Sequence, residues 1–254
     1  MKPCFFFLFI FIFSVGFAQQ KMDSIQIKDI QDFQYDDYGN LYTYEKQNFS
    51  LTKYDDKGKE LGRLMMTVPF KIQSVDNPLN IFLFSENAQQ LKVVDQNLVE
   101  IQKIDFSTYF GFIKLAFAED LQIVWLLDET TKRLVQFNYR THQIIKSFQY
   151  QFDFDEVTSM LVFDQKLYIT TKSAFKVYDL RGNLLFSKDL EKPVKLRRSN
   201  EQIFIFTHKE ILEFAFPTDF KSVYFEKDAK IVDKNSSTYF VLKENKSYIY
   251  TLKN

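Results

Sequence analysis

The side chains able to do chemistry in this chain are few, and their spacing is informative. It has two histidines, one cysteine and evenly balanced charge, 33 basic against 33 acidic residues. His142 and His208 are too widely separated to suggest a joint metal site, which needs several convergent ligands. Cys4 is the sole cysteine and stands ahead of an apolar leader, so a processed chain would carry no thiol chemistry and no disulfide. No His-Glu-x-x-His, Gly-x-Ser-x-Gly, P-loop or Gly-x-Gly-x-x-Gly pattern occurs, which removes the main supports for metalloprotease, serine hydrolase, kinase and dinucleotide readings. Asp36-Asp37-Tyr38-Gly39-Asn40 and Asp55-Asp56-Lys57-Gly58 hold the carboxylates and glycine of a calcium loop without its alternating ligand spacing, and they read as hairpin turns. No metal and no cofactor is expected.

Two other groups could bind rather than react. Lys195, Arg197 and Arg198 crowd one short stretch, and paired arginines can grip a carboxylate or phosphate through their forked donors. The competing use is internal pairing with acidic neighbours, for which Asp32 and Asp233 are the candidates. The second group is aromatic. Tyr109 and Phe110 lie in one connection, and Phe152, Asp153, Phe154 and Asp155 lie in another. Such residues make good interface anchors, and they serve equally well as plugs between packed sheets.

The elements that position these residues follow from an internal repeat. Six apolar runs recur 36 to 44 residues apart, beginning at Leu41, Ile81, Ile123, Leu167, Ile203 and Tyr239. Each is short, rich in β-branched and aromatic residues, and preceded by turn chemistry such as Gly39-Asn40 or Asp164-Gln165, so each reads as a strand buried on both faces. A second landmark follows about ten residues later, at Tyr54-Asp55, Val94-Asp95, Phe137-Asn138, Tyr178-Asp179, Phe214-Ala215 and Tyr250-Thr251. Between landmarks each unit fills in as four strands, such as an inner strand at Val157 to Phe163 and an outer one at Leu184 to Leu190. Helical periodicity is nowhere sustained. Four-stranded units at this period predict an all-β, six-bladed β-propeller of four-stranded antiparallel blades. The last unit stops at Asn254 without room for a fourth strand. A spare strand at Asp23 to Lys28, ahead of the first inner strand at about Ile30 to Tyr35, is expected to close the last blade.

The Tyr-Asp-x-x-Gly turn at Tyr54 to Gly58 and Tyr178 to Gly182 resembles the blade signature of bacterial six-bladed propellers of the NHL and TolB-like kind. The Trp-Asp dipeptide of WD-repeat proteins and the periodic tryptophans of quinoprotein dehydrogenases are absent. The resemblance implies a binding platform more often than an enzyme, because most such propellers bind. In this frame Lys195, Arg197, Arg198, Asp32 and Asp233 sit on inner strands at the mouth of a central channel. Tyr109, Phe110, Phe152, Asp153, Phe154 and Asp155 sit on the loop face.

Lys2, the apolar stretch Phe5 to Phe13 and the small residues through Ala18 form a secretory signal peptide, leaving residues 19–254 as one propeller domain. The apolar stretch is far below the roughly 20 residues that span a bilayer. The expected protein is a monomer, periplasmic or secreted, with no membrane span and no nucleic-acid partner. It presents a non-enzymatic platform to a protein or surface polymer. The alternative is a propeller hydrolase or lyase acting on an extracellular carbohydrate or phosphoester through Asp32, Asp153, Asp155 and Asp233.

Overall fold

The computed structural model describes residues 21–26, 30–243 and 246–251; of the first and last of these stretches only backbone pairing is considered. The signal peptide expected at residues 1–18 lies outside the described residues. Every regular element except two short 3₁₀ turns is a strand. β1 (Lys21–Gln26) comes first. It is followed by β2 (Ile30–Tyr35), β3 (Leu41–Glu45), β4 (Ser50–Tyr54) and β5 (Glu60–Met65), which form one antiparallel sheet. The second sheet is β6 (Lys71–Ser74), β7 (Ile81–Ser85), β8 (Gln90–Val94) and β9 (Glu100–Asp105). The third is β10 (Ile113–Ala118), β11 (Ile123–Asp128), β12 (Arg133–Asn138) and β13 (Gln143–Gln149). The fourth is β14 (Val157–Phe163), β15 (Lys166–Thr171), β16 (Ala174–Asp179) and β17 (Leu184–Asp189). The fifth is β18 (Pro193–Ser199), β19 (Gln202–Thr207), β20 (Glu210–Ala215) and β21 (Asp219–Phe225). These five blades are each built from four consecutive strands.

The remaining sheet is not self-contained. β22 (Ile231–Lys234), β23 (Thr238–Lys243) and β24 (Lys246–Thr251) come from the C-terminal end, and the fourth place beside β24 is taken by β1. Ser24 stands opposite Tyr248 and Gln26 opposite Lys246. β1 begins two residues before the expected spare strand Asp23 to Lys28 and overlaps it at Asp23–Gln26; Ile27 and Lys28 lie outside the described residues.

The repeat dictates how the sheets must meet. Side chains alternate between the faces of a strand, and each apolar run is greasy on both faces. Leu83 faces the first sheet in a cluster with Tyr44 and Leu51, whereas its neighbour Phe84 faces the third in a cluster with Val124 and Leu126. All six buried clusters span two sheets in this way, the sixth joining Phe33, Tyr35 and Leu41 to Phe240 and Leu242. No blade owns a core, so no blade is stable alone. Each sheet packs on the next in chain order, and β22 touches both β19 and β2. The result is an all-β propeller.

The recurring aspartate turn has a local cause. Asp55 Oδ1 accepts the N–H groups of Lys57 and Lys59 at 3.0 and 2.8 Å, and Asp179 Oδ1 accepts those of Arg181 and Asn183 at 2.9 and 2.8 Å. Gly58 and Gly182 occupy the left-handed position these hairpins require, at φ 80° and 89°. Asp36 caps the turn before β3 in the same manner, through Tyr38 and Asn40. The first carboxylate of each of these turns, Asp36 and Asp55, is thus engaged by backbone donors. On the outside, β5, β9, β13 and β17 each carry a bulge at Leu61, Ile101, Ile145 and Leu185. Bulges of this kind twist an exposed edge away from further pairing.

Candidate functional site

The six innermost strands, β2, β6, β10, β14, β18 and β22, all contribute to one central cavity of about 910 Å³. Five of them carry a bulge, and the unpaired residues are Gln31, Gln73, Lys114, Thr158 and Val194. A bulge re-aims side chains. Here successive pairs such as Gln31 and Asp32, or Val194 and Lys195, both line the cavity. The lining is divided by chemistry.

On the side of β18 and β22 lies an ionic cluster centred on Asp233, which is fully buried. Its Oδ1 accepts from Lys195 Nζ and from Arg197 Nη1, both at 3.1 Å, and its Oδ2 accepts from the Tyr35 N–H at 3.0 Å. Lys195 also donates to the Phe33 carbonyl at 3.3 Å and lies 3.9 Å from Asp32. Arg197 donates to the Lys234 carbonyl at 2.8 Å and pairs with Asp76. Asp76 follows β6 of the second sheet, so the Arg197–Asp76 pair joins the second and fifth sheets. Burial alone would lower the Arg197 pKa; the two carboxylates more than offset it and hold the guanidinium above its ordinary value. Burial, with Arg197 nearby, lowers the Lys234 ammonium. Asp32 keeps 34% of its side chain exposed, yet desolvation raises its carboxyl, and the attraction of Lys195 only partly opposes this.

The structure thus brings Asp32, Lys195, Arg197 and Asp233 together as mutual partners. Arg198 stands apart from them. Its guanidinium lies 4.3 Å above the Phe163 ring, and among the described residues it makes no ion pair. The sequence did not single out Asp76, although an acid or amide closes the inner strand in most repeats, at Asp36, Asp76, Asp164 and Asn235. Missed as well was Glu119, which lines the cavity and accepts from Trp125 Nε1 at 2.7 Å and Gln136 Nε2 at 2.8 Å.

The aromatic residues of the sheet connections divide differently from expectation. Phe154 is fully buried, and Phe152 packs on it and on Tyr150 and Tyr178, at centroid distances of 4.9, 5.4 and 5.0 Å. Phe110 meets Phe137 edge-on at 5.1 Å. Phe154 is buried in the core between sheets, and Phe110 and Phe152 pack against such cores while staying partly exposed. Tyr109 is the exception, 42% exposed and stacked on His142 at 4.9 Å. Asp153 caps a 3₁₀ turn through the Asp155 N–H, and Asp155 lies 3.7 Å from Lys114, which pairs with Glu86 at 2.9 Å. Lys114 thereby links Asp155 of the second connection to β10. His208 sits at the cavity, its Nδ1 3.0 Å from the Lys230 carbonyl, on a different sheet from His142. Among the described residues no helix is long and apolar enough to cross a membrane.

No protein-family model and no curated protein matches this chain. Solved structures do. BamB from Moraxella catarrhalis aligns at 10% identity over 93% of this chain and 98% of its own, with a TM-score of 0.47. A streptogramin B lyase aligns at 10% identity over 93% of this chain and 87% of its own, with a TM-score of 0.57. The β-propeller domain of Cps50 (Swd1) from Myceliophteria thermophila aligns at 7% identity over 92% of this chain and all of its own, with a TM-score of 0.60. At these identities the last two likenesses establish the propeller frame and nothing finer.

Proposed function

We propose that this chain is an exported, non-enzymatic six-bladed propeller that holds a protein or surface polymer on the connections between its sheets. The reading rests chiefly on the fate of the carboxylates. A glycosidase-type mechanism needs two acids facing one another across open space. Asp233 is buried with both oxygens engaged, the Lys195 ammonium lies close to both it and Asp32, and Asp153 caps a turn on another element. What remains exposed is suited to contact: Tyr109, Phe112, and Asp155 at the outer end of the Glu86–Lys114–Asp155 chain. Export is supported by Lys2, the Phe5 to Phe13 stretch and Ala18.

The sixth blade is the mixed sheet, and β1 is its closing strand. Removing residues 19–28 from the processed chain would strip that sheet of its outer strand, and a melting temperature lowered by many degrees is the expected result. An unchanged melt would remove the closing role. For the platform itself, tagged processed protein is incubated with an extract of its native envelope, beside a Tyr109→Ser, Asp155→Asn variant of equal melting temperature. A partner retained by the first and lost by the second supports the reading. Equal retention or no partner overturns it.

The alternative, a propeller hydrolase or lyase, draws support from Asp32, whose raised carboxyl in the cavity wall is the proton donor such an enzyme would use. The frame shared with streptogramin B lyase is one that can carry catalysis. Turnover of a carbohydrate or phosphoester panel that disappears in Asp32→Asn would establish this alternative in place of the platform.

A further inference from the structure

The central cavity offers a second place for a ligand, apart from the sheet connections. Its volume of about 910 Å³ lies in the range that encloses a small organic ligand. Opposite the ionic cluster the wall is apolar and incompletely covered. Phe117 and Val162 are partly exposed and pack against one buried cluster, Phe117 and Phe163 against the next, and Val194 is 38% exposed between them and Lys195. A well-packed propeller would hide these side chains against one another; here they face a space large enough to be filled.

Two cations on the lining near this wall, Arg198 and Lys146, have no ion pair among the described residues, and Arg198 is the one beside the apolar side chains of β14. Arg197 is consumed by Asp233 and Asp76, whereas the guanidinium of Arg198, the next residue, lies 4.3 Å from the Phe163 ring centroid with no hydrogen bond or ion pair among the described residues. A cation–π contact uses none of the guanidinium's N–H donors, so the fork stays available to a ligand. Such a fork matches a carboxylate, phosphate or sulfonate. Glu119, just after β10, is an acid on the lining, with its Oε2 already held by Trp125 and Gln136.

We infer that the cavity binds an amphipathic organic anion, its headgroup on the Arg198 fork and its apolar body against Phe117, Val162 and Val194. The chain supplies its own reporter. Trp125 is the only tryptophan and it lines the cavity, so an occupant should quench its emission.

The test uses the processed protein and two probes sharing an aromatic body. These are 8-anilinonaphthalene-1-sulfonate, which carries an anion, and N-phenyl-1-naphthylamine, which does not. Saturable quenching by the sulfonate with one site per chain is expected, weakened by about tenfold or more in Arg198→Gln, the scale of a lost charge-assisted hydrogen bond. The neutral probe should bind both proteins alike, and Glu119→Gln should leave sulfonate binding unchanged or tighter. Arg198 is exposed, so its replacement should leave the melting temperature unchanged; a salt titration of the unaltered protein, weakening only the sulfonate, repeats the test without substitution. Equal sulfonate affinity in Arg198→Gln, salt-insensitive binding, or many weak sites per chain would each overturn the inference. Loss of the envelope partner in the Tyr109 variant would leave it untouched.

Discussion

Replacing Asp233 with asparagine tests whether the ionic cluster is a buried structural joint or a solvated surface network. The substitution keeps the volume and removes one charge. It leaves Arg197 with Asp76 and a carbonyl, leaves Lys195 with Asp32 at 3.9 Å, and turns the acceptor of the Tyr35 N–H into an amide. Arginine cannot shed its proton to escape. Breaking a buried pair by removing one partner costs about 3–5 kcal/mol. Because each cation keeps a second carboxylate, the lower end, about 3 kcal/mol, is expected. For a domain of this size that corresponds to about 6–12 °C in melting temperature. Thermal and urea unfolding of wild type and Asp233→Asn, with the urea m-value unchanged, measure it. Asp76→Asn provides the comparison: Asp76 is about half exposed, and the loss should be nearer 1 kcal/mol. A loss in Asp233→Asn no greater than in Asp76→Asn would refute the buried-joint argument. It would mean that water reaches the cluster.

Asp32 should behave in the opposite sense. An acid whose folded pKa is raised binds its proton more tightly in the folded state, so stability is lost as pH rises through the interval above the ordinary value of 3.8. Asp32→Asn should therefore melt higher than wild type near neutral pH, with the difference vanishing below about pH 4; destabilisation near neutrality would show that the Lys195 attraction dominates. Gly182→Ala forces a side chain into φ 89° with its Cβ 3.1 Å from the Gln149 carbonyl oxygen. A loss of about 1–2 kcal/mol is expected, and a neutral outcome in urea unfolding would show that the hairpin relaxes freely. Phe110→Ser should lower the melting temperature by several degrees, whereas Tyr109→Ser should barely change it; equal effects would erase the division between plug and exposed ring.

The periodic framework was readable because its causes are local. The inner strands Ile30–Tyr35 and Val157–Phe163 fall where the alternating apolar pattern and flanking turn residues place them, and the aspartate hairpins follow from short-range capping. Even an irregular repeat obeyed the rule: Leu98 takes the glycine position of the Asp95 turn at φ 63°, where its buried side chain anchors to the first two sheets. What pattern alone could not supply was partnership between sheets far apart in sequence. The Arg197–Asp76 pair joins residues 121 positions apart, and nothing near either residue signals the other. Composition likewise could not tell Phe154, buried, from Tyr109, exposed, because aromatic side chains serve both roles with the same neighbours in sequence.

The divided lining of the cavity follows from the same separation of local and global causes. Blade packing constrains the side chains on the two faces of each sheet, and those positions are filled by the Leu, Ile, Val, Phe and Tyr of the six clusters. Residues turned toward the axis by the bulges are less constrained by the packing of one sheet on the next. At these positions β18 offers Lys195 and Arg197, which are spent on tying four sheets together. Strands β10 and β14 offer Phe117 and Val162, which pack on the buried clusters with part of their surface and leave the rest uncovered at the cavity. Stability accounts for the first set, and for the second only where it is packed. The uncovered part locates where selection for a ligand would have acted.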